Sequence, residues 1–180
     1  MKKTVLTFGL ISGVMISVLM DGSLLIANKI GSGHNSMLLG YTMMVASFLL
    51  IYFGIRSYRD NNLGGQISFG RAFACGILIA LITTICYVAS WEVIYFNFIP
   101  HFMDSYWAAQ IHRIQASGRD AATIAAEVAA IQHSQQLYQN PLVNMAYTFM
   151  EPFPVGLVIT LISAAVLRRK KRQPAETAIA

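Results

Sequence analysis

The chain has 180 residues, enough for one ordinary domain, but 56% of them are apolar and only 12% charged, against roughly 45–50% and 25% in soluble domains. So much apolar surface behind so few charges excludes an ordinary soluble fold and makes the bilayer the expected solvent. The formal charge of +5 does not point to nucleic acid, because five of the thirteen basic residues form one run, Arg168-Arg169-Lys170-Lys171-Arg172, directly after an apolar segment, where a cytoplasmic anchor belongs.

The first apolar segment, about 4–27, follows Lys2 and Lys3. It exceeds the roughly 7–15 residues of a signal-peptide core and no A-x-A site follows it, so it reads as an uncleaved first span. The second span covers about 37–55. A polar link from Arg56 to Arg71 contains Asn61-Asn62 and Gly64-Gly65, which are turn signals. The third span covers about 72–98, ended with the help of Pro100. The fourth covers about 146–167, with a kink or entry turn expected at Pro152 and Pro154. Each reaches or nearly reaches the ~20 residues that cross roughly 30 Å of hydrocarbon.

Between spans three and four lies the longest non-spanning part, about 101–144. In it Phe102–Ala116 and Ala121–Tyr138 are candidate helices, broken at Ser117-Gly118. Asp120 is placed to cap the second, in which Ile124, Val128 and Ile131 recur at helical spacing, and Asn140-Pro141 ends it. Neither is apolar enough to cross the membrane, so the pair is expected as an external helical hairpin on the bundle or membrane surface. With the N-terminus inside, Lys2, Lys3, Arg56, Arg59, Arg71 and the basic run are all cytoplasmic, ten of the thirteen basic residues; only Lys29, Arg113 and Arg119 fall outside. Both termini are therefore expected in the cytoplasm.

The expected architecture is all-α: an integral membrane bundle of four transmembrane helices with the external hairpin. It forms one transmembrane domain over 1–172, followed by a disordered cytoplasmic tail at 173–180. Spans one and three run in the same direction and each carries an acid near its outer end, a weak sign of hairpin duplication.

Three acids lie within or beside apolar segments: Asp21, Glu92 and Glu151. Counted from Lys3, Arg71 and Arg168 at about 1.5 Å per residue, they stand at heights of roughly 27, 31 and 25 Å. Three helices thus place a carboxylate at one level. Gly9, Gly13 and Ser17 form a small-residue row leading to Asp21, and Gly76, Ala80 and Thr84 form one leading toward Glu92; such rows face neighbouring helices. Two readings stay open. The acids are hydrated or hydrogen-bonded at the membrane boundary, with Lys29, Trp91 and Tyr95 as partners, or they line an outward cavity for a cation, proton or polar ligand. Equal height does not fix their separation.

Other chemistry is sparse. His34, His101, His112 and His133 all fall on the expected outer side without a metal-ligand spacing. Cys75 and Cys86, on one helix and roughly 16 Å apart along it, are too distant for a disulfide. Trp91, Tyr95, Tyr106 and Trp107 suggest an aromatic belt. The basic tail sets topology or meets anionic lipids. Nucleophile elbow, phosphate loop, HExxH and kinase signatures are absent from the sequence, so no catalytic residue, metal or cofactor is assigned.

Ile67-Ser68-Phe69-Gly70-Arg71-Ala72-Phe73 before span three, and Glu151-Pro152-Phe153-Pro154-Val155-Gly156-Leu157 before the last span with Ser163-Ala164-Ala165 after it, resemble segments of the bacterial membrane proteins grouped as domain of unknown function 4199. The resemblance covers nearly the whole chain. It implies the four-span architecture and a bacterial inner-membrane location, and carries no activity with it. The first functional expectation is a small accessory or interaction protein in the bilayer, its partner another envelope protein or a second copy of itself, and not nucleic acid. The alternative is a small transporter or proton-coupled carrier using the three acids. A membrane enzyme acting on lipids or peptides would need the acids and histidines to converge.

Overall fold

The computed structural model describes residues 1–30 and 35–169, and for 23–30 and 35–37 the backbone alone. The expected 173–180 tail, His34, Lys170, Lys171 and Arg172, and the Lys29 side chain lie outside what is described. The described chain is helical throughout: α1 Lys2–Ile30, α2 Asn35–Asn62, α3 Phe69–Asn97, α4 Asp104–Gln115, α5 Ala121–Tyr138, α6 Pro141–Met150 and α7 Pro152–Leu167. Four stretches are long and apolar enough to cross a membrane: Lys2–Gly22, Leu38–Asn62, Phe69–Asn97 and Pro141–Leu167. Their outward faces carry Leu10, Val14, Val18, Leu49, Phe53, Ile85, Val158 and Ile162, all exposed. Contiguous apolar exposure on that scale is what lipid solvates. This is a multi-pass membrane protein.

The elements divide into two compact units, residues 1–87 with 152–180, and residues 88–151. In the first unit α2 packs on α1 and on α7. Its core joins Val5 and Ile16 of α1, Phe48, Ile51 and Ile55 of α2, Cys75 and Ile79 of α3, and Ala164 and Leu167 of α7. Lipid tails are as apolar as these side chains, so close packing and buried hydrogen bonds must hold the helices together. The small-residue rows supply both. A Cβ on Gly13 would stand 2.6 Å from Cys86 Sγ, one on Gly9 2.9 Å from Ile82 Cβ, and one on Gly76 2.8 Å from Thr160 Cγ2. Ser12 Oγ donates to the Ser47 carbonyl at 2.8 Å, and Ser17 Oγ to that of Cys86 at 3.4 Å.

α2 continues well beyond the expected end at Ile55. Its polar last turns satisfy themselves on the helix surface: Arg56 Nε lies 3.7 Å from Asp60 Oδ2 and Asn61 Nδ2 donates to Ser57 Oγ at 3.1 Å. The link to α3 shrinks to 63–68 and turns through Gly64 and Gly65 at φ 60° and 82°, a region that a Cβ disfavours. Ile67 then pairs with Arg169 in an isolated antiparallel bridge.

In the second unit α4 packs on α5, and α5 on α6. The turn between α4 and α5 uses Gly118 at φ 69°. Asp120 caps α5 by accepting from the Thr123 amide at 2.9 Å, as its position before an alanine-rich run predicts. Asn140 caps α6 by accepting from the Leu142 amide, with Pro141 in the first turn. The fourth apolar segment breaks at Glu151, one residue before Pro152, which lacks the amide hydrogen that α6 would need to continue.

Candidate functional site

The three acids differ in their surroundings. Asp21 is half-buried on α1, in the first unit. Glu92 and Glu151 belong to the second. Glu151 is exposed at the break between α6 and α7. Glu92, near the end of α3, is half-buried, and its Oε1 is closed off from solvent without a hydrogen-bond partner among the described residues. Ion pairs form between Arg56 and Asp60, Arg59 and Asp60, His101 and Asp104, and Arg119 and Glu127, and no described cation pairs with Glu92. The row leading to Asp21 faces α3 through Gly9, Gly13 and Ser17.

The most ordered polar constellation of the second unit centres on Asn144, a residue the sequence reading did not single out. Asn144 is fully buried. Its Oδ1 accepts from Trp91 Nε1 at 3.0 Å and from Thr148 Oγ1 at 3.1 Å, and its Nδ2 donates to the Tyr138 carbonyl at 3.4 Å. Three helices thus meet on one amide: α3 through Trp91, the end of α5 through Tyr138, and α6 through Asn144 itself. Aromatic rings wrap the same point. Trp91 stacks on Tyr95 with centroids 5.6 Å apart, and Tyr138 meets Tyr95 edge-on at 5.5 Å and Trp107 at 6.0 Å. Trp91 and Tyr95, expected as interfacial anchors, are both buried. Burial pushes the Tyr138 phenol above the ordinary tyrosine value, while side-chain hydrogen bonds with Trp91 and Thr148 act in the opposite sense. Trp107 Nε1 is shielded from solvent and without a partner among the described residues.

The signal for Asn144 was present, because a carboxamide beside an apolar span must find partners or pay desolvation. A fourth span taken from 146 leaves Asn144 in a link, where that demand does not arise.

His101 lies 2.9 Å from the Asp104 carboxylate at an exposed site, and His112 and His133 are exposed. No three His, Cys, Asp or Glu among the described residues group as metal ligands. Cys75 and Cys86 are free thiols. Chemically, the second unit holds a carboxyl oxygen and an indole N–H, each screened from solvent and without a hydrogen-bond partner among the described residues, beside an amide-centred network of hydrogen bonds.

The sequence model of the family described as Protein of unknown function (DUF4199) matches residues 7–169, which takes in nearly all of the four apolar stretches. This chain belongs to the DUF4199 family. The DUF4199 match includes both motif segments, 67–73 and 151–157, on which the resemblance rested. No curated protein and no solved structure matches this DUF4199 chain.

Proposed function

We propose that this DUF4199 protein is a small accessory or interaction protein of the bacterial inner membrane, with both termini in the cytoplasm and the α4–α5 pair outside. The observation that carries the reading is that α4 and α5, 12 and 18 residues long, contain no buried residue. They are regular helices in contact with each other, α5 capped by Asp120, and they leave Ala122, Ala126, Ala129 and His133 exposed on α5. A surface of small side chains with a few polar groups suits close approach by another polypeptide, here another envelope protein. The test is a photocrosslinking residue at Ala126 or Ala129 in cells, with Val14 on the lipid-facing side of α1 as control. A discrete protein adduct from the α5 positions alone is expected. The same pattern from Val14, or only lipid adducts from α5, overturns the reading.

A second reading has its own observation. A carboxyl oxygen screened from water and without a hydrogen bond, on a membrane-spanning helix, suits the group that a proton-coupled carrier loads and unloads, and Glu92 Oε1 has no partner among the described residues. In this carrier Glu92 would work with Asp21 and Glu151. Proton flux in liposomes, abolished by Glu92→Gln, is expected on that reading; equal flux from both proteins, or none from either, removes it.

A further inference from the structure

We propose that the basic end of the first unit is a binding site for the headgroups of anionic phospholipids, beyond its role in setting topology. Three contacts place the chain ends. A Cβ on Gly54 of α2 would stand 3.2 Å from Phe8 Cβ of α1, and the chain runs five residues from there to Arg59 and five back to Lys3, about 8 Å each way. Gly76 of α3 faces Thr160 of α7; Arg71 precedes the first and Arg168 follows the second. Arg59 Nη1 donates to the Leu167 carbonyl at 3.5 Å. Lys2, Lys3, Arg56, Arg59, Arg71, Arg168 and Arg169 therefore share one end.

The only carboxylate described at that end is Asp60, and it is already engaged. Arg59 donates to it through Nε at 2.7 Å and Nη2 at 3.1 Å, and Arg56 approaches to 3.7 Å. Lys2, Lys3, Arg71 and Arg168 are exposed and have no ion-pair partner among the described residues. Helix stability does not account for Lys2, Lys3 and Arg71, whereas Arg168 follows the C-terminus of α7, where a cation is favoured. α1 and α3 begin with cations and carry no acid in the first turn, the arrangement the helix dipole disfavours. Those two N-termini and the cations beside them favour an anion, and at the C-termini of α2 and α7 on the same end Arg59 and Arg168 offset the opposing dipoles.

Position and order both point to lipid. The site closes four apolar stretches whose exposed faces require acyl chains alongside, so the phosphates at this level are those of the bilayer. Arg169 is held by its backbone, donating to the Ile67 carbonyl at 3.0 Å and accepting from the Ile67 amide at 3.2 Å, while its side chain stays exposed. A cation presented from a fixed backbone loses less freedom on binding than one on a loose tail.

Native mass spectrometry of the purified full chain in detergent, given equal amounts of phosphatidylglycerol and phosphatidylcholine, tests this. Retention of phosphatidylglycerol is expected. At about fivefold per basic residue, Arg168→Gln with Arg169→Gln should weaken retention roughly 25-fold, and Arg71→Gln alone about fivefold. Arg113→Gln with Arg119→Gln removes the same charge from the second unit and should leave it unchanged. All these side chains are exposed, the Arg169 bridge uses backbone atoms alone, and Arg119→Gln gives up only a surface ion pair with Glu127, worth little in water, so circular dichroism should match the parent. Equal retention of the two lipids, equal loss from both double variants, or inorganic phosphate binding as strongly as phosphatidylglycerol would overturn the proposal.

Discussion

Replacing Asn144 with alanine removes the acceptor shared by Trp91 Nε1 and Thr148 Oγ1. Interhelical hydrogen bonds in membranes contribute on average about 0.6 kcal/mol and at most about 1.7. The loss here is larger than one bond, because Trp91 is only 8% exposed and its N–H would be left in a dry site, at a cost of about 1–3 kcal/mol. The Tyr138 hydroxyl, already in contact with Trp91 and Thr148, can recover part of that. The expected cost is about 2 kcal/mol. A double-mutant cycle isolates the bond. Trp91→Phe deletes the donor while keeping a ring to stack on Tyr95 and meet Phe102. In that background Asn144→Ala should cost about 1 kcal/mol less. Unfolding by SDS titration in mixed micelles, followed by circular dichroism, measures all four corners. A cost under about 0.5 kcal/mol for Asn144→Ala, or the same cost in both backgrounds, would refute the network as a source of stability.

Gly13→Ala should lower the stability of the first unit by about 1 kcal/mol, since the new methyl clashes with Cys86 by more than helix propensity returns; Gly40→Ala, with open space around it, should stabilise slightly in the same SDS titration. Hydrogen bonds from Thr123, side chain first and then backbone, hold the Asp120 carboxyl below its ordinary value of 3.8. Its contribution to α5 is therefore fully present above that value and lost as pH falls through the lowered one, and amide exchange at the start of α5 should accelerate only in that acid window, an effect absent from Asp120→Asn. A reporter active only outside the cytoplasm should work when fused after Ala116 and be silent after Ala175, and the reverse pattern would refute the orientation drawn from the basic residues.

Much of the fold was legible because the bilayer imposes simple rules. Apolar runs located all four spans, and the four-residue rows at Gly9, Gly13 and Ser17 and at Gly76 and Ala80 marked the faces where helices meet, since only small side chains allow such approach. Local capping chemistry at Asp120 was equally readable, while Asn140-Pro141, expected only to end α5, also opens α6. What escaped were interactions between residues far apart in sequence. Trp91 looked like a belt residue because an indole suits an interface; its partner, 53 positions away, is what makes it a buried donor. Arg59 looked like one more topology anchor, yet it is buried by the end of α7. Hydropathy could not end α2 correctly either, because the charged turns beyond Ile55 stay helical through pairs such as Arg56–Asp60. For the acids, periodicity gives only an expected height and facing, and the structure is what distinguishes the screened Glu92 oxygen from the exposed Glu151.

The contacts at the end of α2 also impose an order on biosynthesis. Arg59 is made 108 residues before the Leu167 carbonyl that it binds, and Ile67 is likewise made long before Arg169. While the ribosome is still producing α4, α5 and α6, the second and third spans wait in the bilayer with one nitrogen of the Arg59 guanidinium, Nη1, and a pair of backbone groups unclaimed. Release of a shortened chain ending before Leu167 would leave that state permanent, a feature by which quality-control proteases could distinguish an unfinished copy from a finished one.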